Sequence, residues 1–347
     1  MSTRSRLFLL GLFLMLFGCH AEEQVYRDQF VSMGTVFELT VYDIDESRGR
    51  ELSRAIQKDL EYMNFAWHAW KPGSLGRVNQ LLVTGGWFSI NPSVLPLVEE
   101  SKRLYQSSQG LFNPAIGALV RLWGFHSDDP GEGKAPTDAE INAFMQDVPT
   151  MDDIELDGIR ARGHNPKLRL DFGAFAKGYA LELLMDRLRE MGVKDAIINA
   201  GGDLKTIGRH GDRPWRIAIR DPKLDGSVGN LEIEGATSVF TSGNYERYYQ
   251  QAGKRYHHIL DPRTGRPSRD TSSVTVVHDN AGDADAAATA LFVAGPEQWW
   301  EIARSMGIKY VLLVDDEGNI HMNPAMSKRV RLEPKYKNAV KLSAPLN

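Results

Sequence analysis

Hydrophobic and polar positions alternate along this chain with two different periods. Over residues 30–42, Val31, Val36, Leu39 and Val41 recur among polar neighbours, which predicts a strand. Over 46–65 the spacing lengthens, and Leu52, Ile56, Leu60 and Met63 fall on one face of a helix. A second amphipathic helix is predicted over 96–107 and a third over 175–191, stopped by Gly192. Residues 195–199, 215–220, 239–242 and 273–278 read as extended, 283–294 as an alanine-rich helix and 310–314 as a buried strand. The elements mix without a strict βαβ rhythm. They predict an α+β fold: a single compact, two-lobed domain of mixed sheets and helices. No internal repeat, Pro/Ser-rich linker or low-complexity tract divides it.

The first nineteen residues stand apart. Arg4 and Arg6 precede an unbroken run of apolar residues and glycine over 7–17, too short to cross a hydrocarbon core that needs about 20 residues. That pattern is a secretory signal. It ends in Leu16-Phe17-Gly18-Cys19, which resembles the bacterial lipobox, with Phe17 bulkier than the usual occupant. Cys19 is the single cysteine of the chain and sits where lipidation needs it; an ordinary cleaved signal with an incidental cysteine is the alternative. The expected organisation is a signal peptide over 1–18, a lipid-anchored tether over 19–28 and the folded domain over 29–347. Lipidation places the domain on the periplasmic side of a membrane. His20, rather than an Asp, after the cysteine points to the inner leaflet of the outer membrane over the inner membrane. A lone cysteine leaves no intramolecular disulfide, so the fold rests on core packing.

Hydrophobic residues make up 42% of the sequence and charged residues 25%, enough for a sizeable core. A net charge of −4 gives no support to nucleic-acid binding.

Four stretches carry candidate chemistry. Asp171-Phe172-Gly173-Ala174-Phe175-Ala176-Lys177-Gly178 reads as a strand end, a glycine turn and a helix start. Asn199-Ala200-Gly201-Gly202-Asp203 is a glycine-rich turn after an apolar strand. Such turns at helix starts expose N–H groups toward phosphate, with tight-turn geometry as the plainer alternative. In the segment 283–289, Asp285 and Thr289 stand four apart on one helix face and offer hard oxygens suited to Mg²⁺. Asp283 reads as an N-cap or first-turn acid, a role equally open to Asp285. In the fourth stretch, 257–265, His257 and His258 are adjacent, so only one can face a site and act as a base. In Trp67-His68-Ala69-Trp70 a tryptophan can stack on a flat ring system or pack in the core.

Together and in their order along the chain the four stretches resemble the ApbE family of FAD:protein FMN transferases. The resemblance runs from Met33-Gly34-Thr35 to about Gly295. It takes in Gly110-Leu111-Phe112-Asn113-Pro114, Leu122-Trp123-Gly124-Phe125 and Thr241-Ser242-Gly243-Asn244-Tyr245-Glu246-Arg247, with Asn244 where the family commonly has Asp. It implies an ApbE-like fold and a Mg²⁺-dependent transfer of FMN from FAD to a Thr or Ser hydroxyl of an acceptor protein, with release of AMP. The implied acceptors are subunits of membrane redox complexes of the NADH:quinone reductase and Rnf types, modified in a D-x-x-[ST]-G-[AS]-[ST]-like motif. The resemblance assigns the metal to Asp285, Thr289 and the carbonyl of Ala174. It assigns flavin-dinucleotide contacts to Met33, Trp70, Leu111, Phe112, Asn113, Asp171, Lys177 and Ile259, and catalysis to His258. Lys177 has an alternative partner in Asp171. An FAD-storing lipoprotein and a Mg²⁺-dependent FAD pyrophosphatase share the same pocket and motifs.

Overall fold

The computed structural model describes residues 24–126 and 134–346. The signal peptide and Cys19 lie outside the described residues. Among the described residues, nine strands form the main sheet: β1 (Val25–Ser32), β2 (Thr35–Tyr42), β3 (Ala196–Ala200), β4 (Asp203–Ile207), β5 (Thr237–Gly243), β6 (Thr271–His278), β7 (Tyr310–Asp315), β8 (Ile320–Met322) and β9 (Val340–Leu342). Their order in the sheet is their order in the chain. Every neighbouring pair is antiparallel except β8 and β9, which are parallel.

Two-residue turns set the local pairing. Met33 and Gly34 join β1 to β2 with φ of 48° and 73°, and Gly201 and Gly202 join β3 to β4 with φ of 68° and 105°. Positive φ at both turn positions suits the right-handed twist of a tight hairpin. The strand expected over 30–42 is therefore two strands folded back at Met33-Gly34. Residues 25–28, expected in the tether, are the first half of β1, with Val25 opposite Tyr42. The reason is packing: Tyr26 is buried, and its ring lies where a side chain on Gly49 would stand.

Three helices cover one face of the sheet: α1 (Glu46–Trp67), α2 (Ala176–Glu190) and α3 (Ala281–Ser305). Asp45 caps α1 by accepting the Arg48 N–H at 2.8 Å, and Leu52, Ile56, Leu60 and Met63 point to the core. Asn280 caps α3 through the Asp283 N–H at 2.9 Å. Asp283 is thus a first-turn acid, and it pairs with Arg103. The alanine-rich helix ends where expected, since Gly295 turns to φ 72° and Pro296 starts a second helical segment beyond the kink.

The central strands are buried on both faces, so they read as near-continuous apolar runs. Phe240, Val274, Val276, Val311 and Leu313 pack toward the helices. Val239, Val277, Leu312 and Val314 pack toward a second, three-stranded sheet of Trp215–Arg220, Ser227–Ile233 and Val330–Leu332. Alternate residues of one strand thereby serve two cores. The chain leaves the sheet after β2 and returns beside it at β3. Between them lie α1, α2, a helix at Leu95–Ser107 and the short strands Phe88–Ser89, Ile154–Asp157 and Arg160–Gly163. This is the α+β architecture expected. Among the described residues, no helix is long and apolar enough to cross a membrane.

Candidate active site

The site grows from the point where the first turns of α2 and α3 cross. Gly178 makes that crossing possible: a Cβ there would stand 2.2 Å from the Ala281 carbonyl oxygen and 2.7 Å from the Asp285 Cβ. The Gly178 N–H donates to Asp285 Oδ2 at 2.9 Å instead of to the Ala174 carbonyl four residues back. Among the described residues, the Ala174 carbonyl receives no backbone N–H. Asp285 is 5% exposed. Thr289 follows one turn later on the same helix face, with Ser242 Oγ of β5 at 3.2 Å from its hydroxyl.

Lys177, the residue before Gly178, pairs with Asp203 at the start of β4. Asp203 also accepts the Thr241 N–H at 2.9 Å through Oδ1. Lys177 therefore does not pair with Asp171, the partner that proximity in sequence offered. Burial works against the Lys177 charge, but Asp203, Asp285 and Glu246 outweigh it and hold its pKa above the ordinary lysine value. Burial, opposed by Lys177 and reinforced by Asp203, pushes the Asp285 carboxyl up to about 7. Three carboxylates thus surround one ammonium, and the surplus is negative.

The oxygens fit a cation. Asp285 supplies a buried carboxylate whose charge is incompletely neutralised, Thr289 a hydroxyl, and Ala174 a carbonyl released from helical pairing. All three are the hard ligands Mg²⁺ takes, and few protein ligands leave room for phosphate and water. Among the described residues, no group of three or more His, Cys, Asp or Glu gathers as a metal site, so a cation here would rely on the hydroxyl and the carbonyl beside one carboxylate.

The two histidines divide their roles as adjacent residues of an extended segment should. His257 is buried against Phe292, and its Nε2–H donates to the Ser268 carbonyl at 2.9 Å. His258 has Nδ1 at 3.2 Å from the Arg247 carbonyl, which assigns the proton to Nδ1 and leaves Nε2 an acceptor. Burial, then Arg247, with smaller contributions from His257 and Lys177, pushes the His258 pKa down to about 3. The ring is neutral at physiological pH. The Leu122–Phe125 motif supports this segment: Trp123 Nε1 donates to the Gly265 carbonyl at 2.7 Å, and Phe125 packs on Tyr249 and edge-on to His258.

Trp70 is half-buried. Its indole N–H donates to Asp171 Oδ2 at 3.1 Å, and the Arg169 guanidinium lies 4.4 Å from the ring centroid. Asp171 Oδ1 accepts the Gly173 N–H at 2.8 Å, which shapes the turn leading to Ala174. Met33 sits at the β1–β2 turn with its N–H on Asn64 Oδ1 at 3.3 Å. The neighbouring turn lies beside it, because a Cβ on Gly201 would meet Thr35 Oγ1 at 2.3 Å. Leu111, Phe112 and Ile259 are buried and pack in the main hydrophobic core. Asn113 spends its side chain on the Pro149 carbonyl and the Ala115 N–H, at 3.0 and 3.1 Å.

One expectation is corrected. The Gly201-Gly202 turn leads into a strand, not a helix, and so brings no helix dipole to a phosphate; the 171–178 turn, which does open α2, keeps that role. Sequence reasoning also left Asp203 without a role, although it closes a motif already singled out, and it passed over Arg169 on Trp70.

A family model described as the ApbE family matches residues 33–312. An FAD:protein FMN transferase of Rhodobacter capsulatus is 42% identical over 306 residues, 88% of this chain; the chain spans 58% of that relative's length. One from Vibrio cholerae is 31% identical over 91% of this chain and 95% of its own. Among solved structures, the ApbE protein of Thermotoga maritima superposes with a TM-score of 0.80 at 28% identity, covering 89% of this chain and 100% of its own. The flavin transferase ApbE of Vibrio cholerae does so at 0.78 and 28%, with the same coverage.

Proposed function

The chain belongs to the ApbE family, and from that premise we propose that it transfers FMN from FAD to a threonine or serine hydroxyl of an acceptor protein. The observation that carries this reading is the crossing at Gly178, which gathers Lys177, Asp203 and Asp285 around one buried point. The hydroxyl oxygen of the acceptor forms a bond to the riboflavin-side phosphorus of FAD. The bond from that phosphorus to the bridging pyrophosphate oxygen breaks, and AMP leaves with that oxygen. Nε2 of neutral His258 takes the hydroxyl proton. Lys177 offsets charge on the pyrophosphate, and the α2 N-terminus adds positive potential. Asp285, Thr289 and the Ala174 carbonyl would hold Mg²⁺, which would neutralise phosphate charge that would otherwise face Asp285.

Trp70, half-buried, stacks on the flavin or adenine. The acceptor presents its hydroxyl in a D-x-x-[ST]-G-[AS]-[ST]-like motif on a subunit of a membrane redox complex. Lipidated Cys19 anchors the enzyme on the periplasmic side of the membrane; the support for this is the lipobox pattern, outside the described residues. The test is incubation with FAD, Mg²⁺ and a Thr-containing acceptor fragment, followed by mass spectrometry and in-gel flavin fluorescence. A fragment heavier by one FMN, with AMP released in equal amount, is the expected result. FMN and AMP released without labelling would make the protein a pyrophosphatase, and intact FAD would make it a storage protein.

A further inference from the structure

The α2–α3 crossing is held by two reciprocal bonds, of which the reaction uses one. Gly178 N–H on α2 donates to Asp285 on α3 at 2.9 Å, and Ala281 N–H on α3 donates to Glu182 Oε2 on α2 at 2.8 Å. In each helix the donor and the acceptor stand four residues apart, so both lie on the face turned to the other helix. Behind the second bond is Lys205, the third residue of β4, whose side chain is 1% exposed. Its ammonium lies 3.0 Å from Glu182 Oε2, 2.6 Å from the Asp279 carbonyl and 3.5 Å from Ser238 Oγ. Three acceptors match its three N–H bonds. Lys205 and Asp203 are two apart on one strand and point to the same face. One strand thereby offers α2 a carboxylate for Lys177 and an ammonium for Glu182.

We propose that Lys205 and Glu182 are positioning residues that set where Asp285 stands relative to α2. Asp279 precedes the α3 cap, and Ala281 is the first residue of the helix. Lys205 holds one and Glu182 the other, so together they fix the start of α3 in position, and Asp285 lies one turn further in. A shift of that start carries Asp285 and Thr289 away from the Ala174 carbonyl and Lys177, which belong to the other arm of the crossing. A buried lysine is costly unless fully paired, and such pairs are best suited to setting register. The proposal rests on the reading of Asp285 as a Mg²⁺ ligand given above.

The test is a Mg²⁺ titration of the full chain with FAD present and acceptor absent, followed by the melting temperature. Lys205→Met keeps the apolar stem and removes the ammonium. It should need about 10–100-fold more Mg²⁺ than wild type for the same rise in melting temperature, the usual cost of losing a residue that orients a ligand. Glu182→Gln keeps an acceptor for Ala281 and should shift the midpoint less. In transfer assays the half-saturating Mg²⁺ should rise while the rate at saturating Mg²⁺ recovers. Leu188→Ala, a core truncation further along α2, should lower stability without moving the Mg²⁺ midpoint. An unmoved midpoint in Lys205→Met, or an equal shift in Leu188→Ala, overturns the proposal. Should Lys205→Met fail to fold, an unmoved midpoint in Glu182→Gln overturns it instead. If Asp285→Asn loses the Mg²⁺ response and Lys205→Met keeps it, only the positioning role falls. If Asp285→Asn also titrates like wild type, the metal reading falls and this proposal with it.

Discussion

Replacing Gly178 with alanine should force α2 away from α3. Helix propensity alone argues the opposite, since alanine is favoured over glycine in a helix by roughly 0.5–1 kcal/mol. The structure leaves no room for the added methyl. It would stand 2.2 Å from the Ala281 carbonyl oxygen, where ordinary contact begins near 3.4 Å, so the helices must part by 3.4 − 2.2 = 1.2 Å. Such a displacement takes the Gly178 N–H bond to Asp285, now 2.9 Å, out of hydrogen-bonding range. Overpacking costs about 1–3 kcal/mol and the loss of a bond to a charged acceptor about 1.5–3 kcal/mol. Both report one displacement and propensity offsets part of it, so a net loss of about 2–4 kcal/mol is expected. Urea unfolding of the FAD-free protein should show a lower midpoint at an unchanged m-value. FMN transfer should fall with it, because Asp285 moves. A variant as stable as wild type, or more stable, would refute the close crossing and the site built on it.

Asp285→Asn keeps size and hydrogen bonding while removing the charge, and should nearly abolish transfer; unchanged activity in EDTA for wild type would remove the metal from the account. His258→Gln should slow transfer about 10²–10⁴-fold with FAD binding retained, the usual cost of a lost general base; stopped-flow transfer and a fluorescence titration of FAD separate the two effects. The same variant tests the pH dependence. The folded pKa of about 3 lies below the ordinary 6.5, so the unfolded chain alone takes up the proton and stability falls as pH drops from 6.5 toward 3. Between pH 6.5 and 5 His258→Gln should flatten that fall by up to about 2 kcal/mol, and parallel unfolding slopes for the two proteins would contradict a ring held neutral in the fold. Asp285, with a raised pKa, contributes with the opposite sign in both proteins and cancels from the comparison. Trp70→Ala should weaken FAD binding by roughly 1–3 kcal/mol, the value of stacking a base on an aromatic ring; an unchanged dissociation constant would leave Trp70 as a support for Arg169 and Asp171.

Much of the fold is legible in the sequence. The helices over 46–65, 96–107 and 175–191 appear as Glu46–Trp67, Leu95–Ser107 and Ala176–Glu190, because each shows an uninterrupted helical stripe. The strand at Trp215–Arg220 appears with its expected ends, since its residues alternate strictly between buried and exposed. The hairpin at Met33-Gly34 was not legible: Met is an unusual residue for positive φ, and the pairing of β1 with β2 and the bond to Asn64 hold it there. The short helix Ser74–Leu82 lay hidden because nine residues barely exceed two turns.

Within the site, what local sequence determined was the placement of groups a few residues apart. Asp285 and Thr289 share a helix face, His257 and His258 point to opposite sides of their segment, and Gly201-Gly202 reverses the chain. These follow from the period of helix and strand and from glycine's freedom at positive φ, all set by neighbouring atoms. What tertiary structure decided was partnership. Lys177 is closer in sequence to Asp171 but pairs with Asp203, 26 residues on, because β4 runs under α2 while Asp171 is engaged by Trp70. Gly178 meets Asp285 across 107 residues because α2 and α3, packed on one sheet, approach closely at their first turns, and the residue there has no side chain to keep them apart. Short-range sterics repeat wherever the same residues occur. A contact between distant segments exists only once the sheet has ordered its strands and both helices have buried their apolar faces against it.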